Sequence, residues 1–101
     1  MEKVIVDGKV AVLFSPGYGE GWHTWGAPVE AVFDPELVKA VLVEDYELAE
    51  QIANQKWPDV FAGGVTDLEV EWLPQGTAFR ITEYDGYESV EVIGDIKFLT
   101  A

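Results

Sequence analysis

The last third of the chain alternates apolar and polar residues, and two turn signals interrupt the alternation. From Asp67 to Trp72 every second residue is apolar and the others are acidic, which is the period of a strand with one buried face. Leu-Pro-Gln-Gly at residues 73–76 and Asp-Gly at residues 85–86 are typical turn sequences. This pattern predicts a meander of three antiparallel strands, and it constrains the fold more than any other feature of the sequence.

The register of that meander brings apolar residues opposite apolar residues. The first turn would place Val70 opposite Phe79, and the second would place Phe79 opposite Val92. A slip of one residue would break this agreement, because side chains alternate between faces with a period of two. The same register makes neighbours of Glu83 and Glu88, a like-charge contact. Such a contact either marks a functional site or lies at a frayed, solvated hairpin end, which is the interpretation we favour.

The first third of the chain predicts an amino-terminal hairpin. Asp-Gly at residues 7–8 separates two apolar runs, and this dipeptide between such runs is a strong hairpin signal. Residues 29–33 are predicted as another short strand, and residues 96–99 as a closing strand.

Two short helices are predicted between the hairpin and the meander. Asp34 and Asp45 are suitable N-caps, and Pro35 fits the first helical position because its missing N–H would be unpaired there. A break is expected near Glu44. The second helix should end at Trp57, because the residue before a proline avoids the helical region.

We therefore predict a single α+β domain over residues 1–101. Its antiparallel sheet would have five to six strands, the N-terminal hairpin plus the C-terminal meander, with two short helices inserted between them and facing the sheet. A chain of 101 residues is expected to form one core.

The net charge of −13, from 19 acidic and 6 basic residues, limits the kinds of partner. Direct binding to nucleic acid or to anionic lipid is disfavoured, because lysine and arginine supply most of that affinity. With no cysteine, thiolate metal sites and disulfides are excluded. The longest apolar run, residues 10–14, is too short to span a membrane, and no signal peptide is evident. A cytoplasmic location is therefore expected.

Residues 15–25, SPGYGEGWHTW, form the most unusual segment. Its glycines allow close backbone approach, while Tyr18, Trp22, His23 and Trp25 could surround a ligand. The other interpretation is that the tryptophans cap one end of the core, since aromatic side chains bury large areas. In the ligand interpretation, the flexible turn at residues 63–64 (Gly63 and Gly64) would complete the pocket.

No catalytic, metal or cofactor site is predicted. A dinucleotide-type glycine pattern would need glycine where Trp22 stands, and Ser15 lacks the flanking glycines of a hydrolase nucleophile. Asp67, Glu69 and Glu71 would be spaced by roughly 6.6–6.8 Å along a strand, too far apart to converge on one ion. No carboxylate pair stands out for acid–base work. We expect that the protein is not an enzyme.

The acidic residues are the other candidate functional feature. Glu69, Glu71 and Glu91 would share one face of the meander around Arg80, and further acidic residues lie on the helices. These charges either serve solubility alone or match a basic surface on another protein.

Four stretches, SPGYGEGWHTW, FDPELV, DVFAGGVTDLEVEWLPQGTAFRI and EYDGYES, resemble small uncharacterised acidic proteins of tailed bacteriophages. The resemblance covers about residues 10 to 90. It implies a cytoplasmic accessory protein that inhibits or redirects host machinery, and it supplies no catalytic residue.

The leading hypothesis is a non-enzymatic acidic interaction protein, an inhibitor or decoy for a host defence or nucleic-acid-binding protein with a basic surface. Acidic residues would steer the encounter, and the segment from Tyr18 to Trp25 would anchor it. The alternative is a small-ligand binder, such as a sponge for a nucleotide signal. A homo-oligomer could build that pocket between subunits.

Overall fold

The computed structural model describes residues 1–17, 21–60 and 63–93, and within them the protein is α+β, as predicted. Short 3-10 turns cover His23–Trp25 and Gly63–Asp67. The strands and helices, in chain order, are β1 (Ile5–Val6), β2 (Lys9–Phe14), α1 (Val29–Phe33), α2 (Pro35–Leu42), α3 (Tyr46–Lys56), β3 (Glu69–Pro74), β4 (Phe79–Tyr84) and β5 (Tyr87–Val92).

Strand β2 lies at the centre of the fold and is buried on both faces. Ala11 and Leu13 belong to the cluster that packs against α2 and α3. Val10 and Val12 belong to a second cluster, which includes residues of α1 and of the β4–β5 hairpin. The described part of the chain is therefore layered, with helices on one side of β2 and the hairpin on the other.

Both predicted Asp-Gly hairpins are confirmed. Asp7 and Asp85 adopt positive φ angles of 51° each, and the glycine that follows each of them is also left-handed. This is the conformation of a two-residue turn whose twist matches the flanking strands. The β4–β5 register places Phe79 opposite Val92, as expected.

The predicted three-stranded meander is wrong at its first turn. Strand β3 pairs with β2, with Ala11 opposite Trp72 and Leu13 opposite Val70, so β4 and β5 form a separate two-stranded sheet. The single sheet of five to six strands is therefore replaced, in the described residues, by sheets of three and two strands. The physical reason lies in β2: a single sheet with helices on one side would leave Val10 and Val12 in water.

The two predicted helices and their caps are confirmed. The Asp34 side chain accepts a hydrogen bond from Leu37 N at 3.0 Å, and Asp45 accepts one from Leu48 N at 3.1 Å. Glu44 has a φ of 58° and separates α2 from α3.

Residues 29–33, predicted as a strand, form the additional helix α1. A run of five mostly apolar residues does not distinguish strand from helix by periodicity. Pro28 precedes the helix in an extended conformation, and Ala31 joins the helix-side cluster while Val32 and Phe33 join the hairpin-side cluster. One helical turn thus fills the corner between both layers. The predicted closing strand at residues 96–99 lies outside the described residues.

The strand pairing is tested by two double-cysteine variants that share one position. Phe14 lies opposite Glu69 in the structure, and opposite residues of antiparallel strands are about 4.5–5.5 Å apart at Cα, within disulfide range. We expect Phe14→Cys/Glu69→Cys to form an intramolecular disulfide on mild oxidation. Glu69→Cys/Arg80→Cys, which would be opposite in the meander, should retain two free thiols. Mass analysis after alkylation measures both, and the reverse result would contradict the topology.

Candidate functional site

The segment from Ser15 to Trp25 is held by a buried carboxylate from β5. Glu88 follows the alternation of Val90 and Val92, so its side chain lies on the inward face of the hairpin, and it is 0% exposed. Its Oε1 accepts a hydrogen bond from Ser15 N at 2.8 Å. Its Oε2 accepts from Trp22 N at 3.0 Å, from Thr24 N at 2.8 Å and from the Thr24 hydroxyl at 2.6 Å.

These four donors replace the water that Glu88 loses on burial. A buried carboxylate is tolerated only when its oxygens are satisfied, and here three backbone amides and one hydroxyl do so. The Glu88 backbone N–H also donates to Ser15 O at 2.8 Å, so β5 holds the segment by main chain and side chain together.

The expectation of a solvated hairpin end is therefore wrong for Glu88. Glu83 does lie opposite Glu88 in the β4–β5 register, but only Glu83 is exposed. The Glu83 carboxylate accepts a hydrogen bond from Gly86 N at 2.6 Å, within its own turn. The two carboxylates thus have separate donors, which relieves the like-charge conflict.

Trp22 occupies the position that the core-capping interpretation gave it. The side chain is 0% exposed, and its ring meets that of Trp57 edge to face at 5.9 Å between centroids. Its indole N–H donates to Ala31 O at 3.1 Å. Trp25, in contrast, remains 40% exposed. Tyr18 lies outside the described residues.

Gly64 packs directly on the backbone of Gly21, within this segment. A Cβ at Gly64 would collide with the carbonyl oxygen of Gly21 and would lie 3.1 Å from Ser15 Oγ. Gly63 precedes it in the 3-10 turn Gly63–Asp67. The sequence predicted that Gly64 would complete a ligand pocket with Trp22. In the structure Gly64 instead makes a close backbone contact with Gly21, next to the buried indole of Trp22.

His23 and Arg80, two of the predicted site residues, line one groove. It has a volume of about 260 Å³, and its other lining residues are apolar: Val29, Val32, Phe33, Phe79 and Ile81. The His23 Nδ1 lies 2.7 Å from Ala27 O. Arg80 donates to the Glu91 carboxylate at 2.9 Å.

The predicted acidic face around Arg80 is divided between the two sheets. Glu91 pairs with Arg80 across the β4–β5 hairpin, whereas Glu69 and Glu71 lie on β3 in the other sheet, opposite Phe14 and Val12. The placement of Arg80 between Glu69 and Glu91 was therefore wrong, because β3 and β4 do not pair.

Glu69 instead borders a groove centred on Tyr46. This groove, which we call the Tyr46 groove, has a volume of about 310 Å³ and lies between the α2–α3 turn and β3. Its lining residues are Val41, Leu42, Glu44, Tyr46, Leu68, Glu69, Val70 and Trp72. It combines two exposed carboxylates with aromatic and aliphatic walls.

The pKa of the Tyr46 hydroxyl reflects the negative charges around the Tyr46 groove. Burial raises the pKa of Tyr46 above its ordinary value of 10.0, and the negative charges of Glu44, Glu69 and Asp67 raise it further. Glu44 lies in the α2–α3 turn, Asp67 precedes β3 and Glu69 is the first residue of β3, so charges from two segments of the chain act on the phenol. The hydroxyl donates to Leu68 O at 3.2 Å. The groove is therefore a region of negative potential beside an aromatic ring.

Residues 1–17, 21–60 and 63–93 contain neither a metal-binding cluster nor a membrane-spanning helix. No group of three histidine, cysteine, aspartate or glutamate side chains there is placed to hold a metal ion. No helix in the same part of the chain is long and apolar enough to cross a membrane. No protein-family model, curated protein sequence or solved structure matches the chain.

Sequence reasoning missed Thr24 and Tyr46, and it noted Glu88 only as a like-charge neighbour of Glu83 without predicting its burial. A signal for Glu88 was present, because it has the same strand parity as Val90 and Val92, which marks an acidic residue on an apolar face. No comparable signal existed for Tyr46, since its carboxylate neighbours depend on the packing of α3 beside β3.

The raised pKa of Tyr46 predicts how its ionisation responds to nearby charge. We expect Glu69→Gln to lower this pKa towards 10.0, because it removes one of the charges that oppose ionisation. Glu91→Gln removes the same charge from the other sheet and should leave the Tyr46 titration unchanged. The measurement is the tyrosinate absorbance as a function of pH. For each variant, the absorbance of the same variant that also carries Tyr46→Phe is subtracted, and the difference is the titration curve of Tyr46.

The same shift makes a contribution to stability that depends on pH. A phenol with a higher pKa in the folded state stabilises the fold at pH values below the unfolded pKa, and this contribution is lost as pH rises through the folded pKa. Above pH 10 the wild type should therefore lose stability more steeply than Tyr46→Phe. Equal losses, together with an unmoved titration in Glu69→Gln, would contradict the assigned field.

Proposed function

We propose that the protein binds a partner with a basic surface, and that the Tyr46 groove receives a lysine or arginine side chain of that partner. The observation that carries this proposal is that the exposed carboxylates of Glu44 and Glu69 line one groove with aromatic and aliphatic side chains. Burial raises the pKa of Tyr46, and these charges raise it further. A cation placed there would meet the field that now opposes ionisation of the phenol.

The walls of the groove suit the rest of such a side chain. Lysine and arginine bury their aliphatic stems on apolar surface while the charged group stays near water. Val41 and Leu42 offer that surface, and Trp72 offers a ring for a cation–π contact. The rim carboxylates Glu44 and Glu69 would then pair with the charged group.

The net charge of −13 would act at longer range. An excess of one sign steers a partner of opposite sign and raises the association rate, while groups buried at the contact set the lifetime of the complex.

The resemblance to small phage proteins supports a host protein as the partner, with this protein as a non-enzymatic inhibitor or decoy.

A fluorescently labelled peptide of ten lysines tests the proposal. The Glu44→Gln/Glu69→Gln variant should bind it roughly 2- to 30-fold more weakly than the wild type, the range expected for losing two exposed ion pairs. Glu2→Gln/Glu30→Gln removes the same charge from exposed positions elsewhere and should weaken binding less. Fluorescence anisotropy at low and at high salt measures these affinities.

Equal losses in the two double variants would show that net charge alone drives binding, and the Tyr46 groove would then have no special role. Binding by the wild type that does not weaken with salt would contradict a charge-driven contact, because exposed charges are screened.

A second candidate is a small planar anion in the groove lined by His23 and Arg80. Its apolar walls and single guanidinium favour such a ligand, although Arg80 is already paired with Glu91. Adenosine monophosphate is a suitable probe in the same assay. Binding of this probe that Arg80→Gln abolishes and Glu44→Gln/Glu69→Gln leaves unchanged would favour this candidate over the basic partner.

A further inference from the structure

The largest groove described lies between α2 and α3, and we call it the helix groove. It has a volume of about 460 Å³ and is lined by Glu36, Lys39, Ala40, Val43, Leu48, Gln51, Ile52 and Gln55. The four residues from each segment are spaced as i, i+3, i+4 and i+7, so each set forms one stripe along a helix face. Two such stripes side by side form a trough that can accept a third helix.

The floor of the trough is part of the core, and its exposed walls combine the apolar Val43 and Leu48 with charged and amide side chains. Ala40 and Ile52 are buried, whereas Val43 is 73% exposed and Leu48 is 42% exposed. Leu42, the residue before Val43, is 47% exposed and lines the Tyr46 groove. Apolar side chains that cluster on a surface mark a contact site more often than scattered ones do.

Charge favours a basic occupant over a second copy of this chain. Residues 34–56 contain six acidic residues against two lysines. One of these, Lys56, is already paired with Asp34 at 2.8 Å and Glu36 at 3.2 Å. Lys39 on the groove wall is the other. A second copy would bring the same excess of negative charge, and each chain carries −13.

The helix groove and the Tyr46 groove both reach the α2–α3 turn. Val43 lines the first, and its neighbours Leu42 and Glu44 line the second. One partner that covers the α2–α3 turn would therefore reach both grooves, with apolar contacts on one side of the turn and a cationic contact on the other.

We propose that the helix groove binds an amphipathic helix of the basic partner. The apolar stripe of that helix covers Val43 and Leu48, and its lysine or arginine residues face the acidic residues around the α2–α3 turn. This is the helix-in-groove mode of recognition, in which anchors recur at helical spacing. The inference rests on the proposed function, because it assigns a shape to the basic partner.

Two synthetic peptides of leucine and lysine, each about four helical turns long, separate shape from charge. In one, the leucines share a helical face; in the other, the same residues are rearranged so that they do not. Because composition and charge are identical, only binding that uses an apolar face distinguishes them. We expect the amphipathic peptide to bind the wild type about tenfold more tightly, a difference of about 1.4 kcal/mol.

Val43→Gln/Leu48→Gln should remove that preference and leave the affinity for the rearranged peptide unchanged. Both positions are exposed, so the fold should be retained. Val29→Gln is the matched control: Val29 is a 50% exposed apolar residue at the start of α1, and its substitution should preserve the preference. Circular dichroism of the variants checks the fold.

Each other outcome counts against the inference in a distinguishable way. Equal binding of the two peptides, with retained sensitivity to Glu44→Gln/Glu69→Gln, would overturn the helix groove and leave the proposed function standing. Absence of binding by either peptide would overturn both. A wild type that sediments as a dimer, together with a monomeric Val43→Gln/Leu48→Gln, would show that the occupant is a second copy.

Discussion

The Glu88 carboxylate is the interaction on which the arrangement of the described layers depends. The Glu88 side chain extends from the inward face of β5 into the interior, where its carboxylate accepts hydrogen bonds from Ser15 N, Trp22 N and Thr24 N. Without it, the buried amides of Ser15 and Trp22 and the partly buried amide of Thr24 would lose this acceptor, at a cost of about 1–3 kcal/mol for each buried group left unsatisfied. The same carboxylate positions the backbone at Trp22, whose indole fills the core beside Trp57.

Because of these hydrogen bonds, the residues that support the fold can be told apart from those that are exposed and available for binding. The glycine- and aromatic-rich segment appears in sequence as a recognition loop, but its backbone is held by Glu88, and Gly64 packs against Gly21 beside it. The exposed apolar and acidic residues instead meet at the α2–α3 turn, where Val43 is 73% exposed beside Glu44. A binding role is therefore better supported at the α2–α3 turn than at the buried Trp22.

Local patterns predicted local structure, and pairing between distant segments was where prediction failed. Asp34, Asp45 and the two Asp-Gly turns act through neighbours in sequence, so their roles were readable. The pairing of β3 with β2 could not be read from the sequence, because the meander register also placed apolar residues opposite apolar residues. Only the burial of β2 on both faces decides between the two pairings. Of the candidate site, the acidic residue Glu69 was predicted, but its place beside Tyr46 depends on tertiary packing that no local pattern encodes.

The free energy of unfolding in urea, compared between Glu88→Ala and Glu83→Ala, tests the role of the buried carboxylate most directly. The two residues are opposite each other on one hairpin and carry the same charge, but only Glu88 is buried. Glu88→Ala should lose roughly 3 kcal/mol or more, because two buried and two partly buried donors lose their acceptor, whereas Glu83→Ala should lose about 1 kcal/mol or less. Equal, small losses would contradict the account, because they would show that the Ser15–Trp25 segment is held without Glu88.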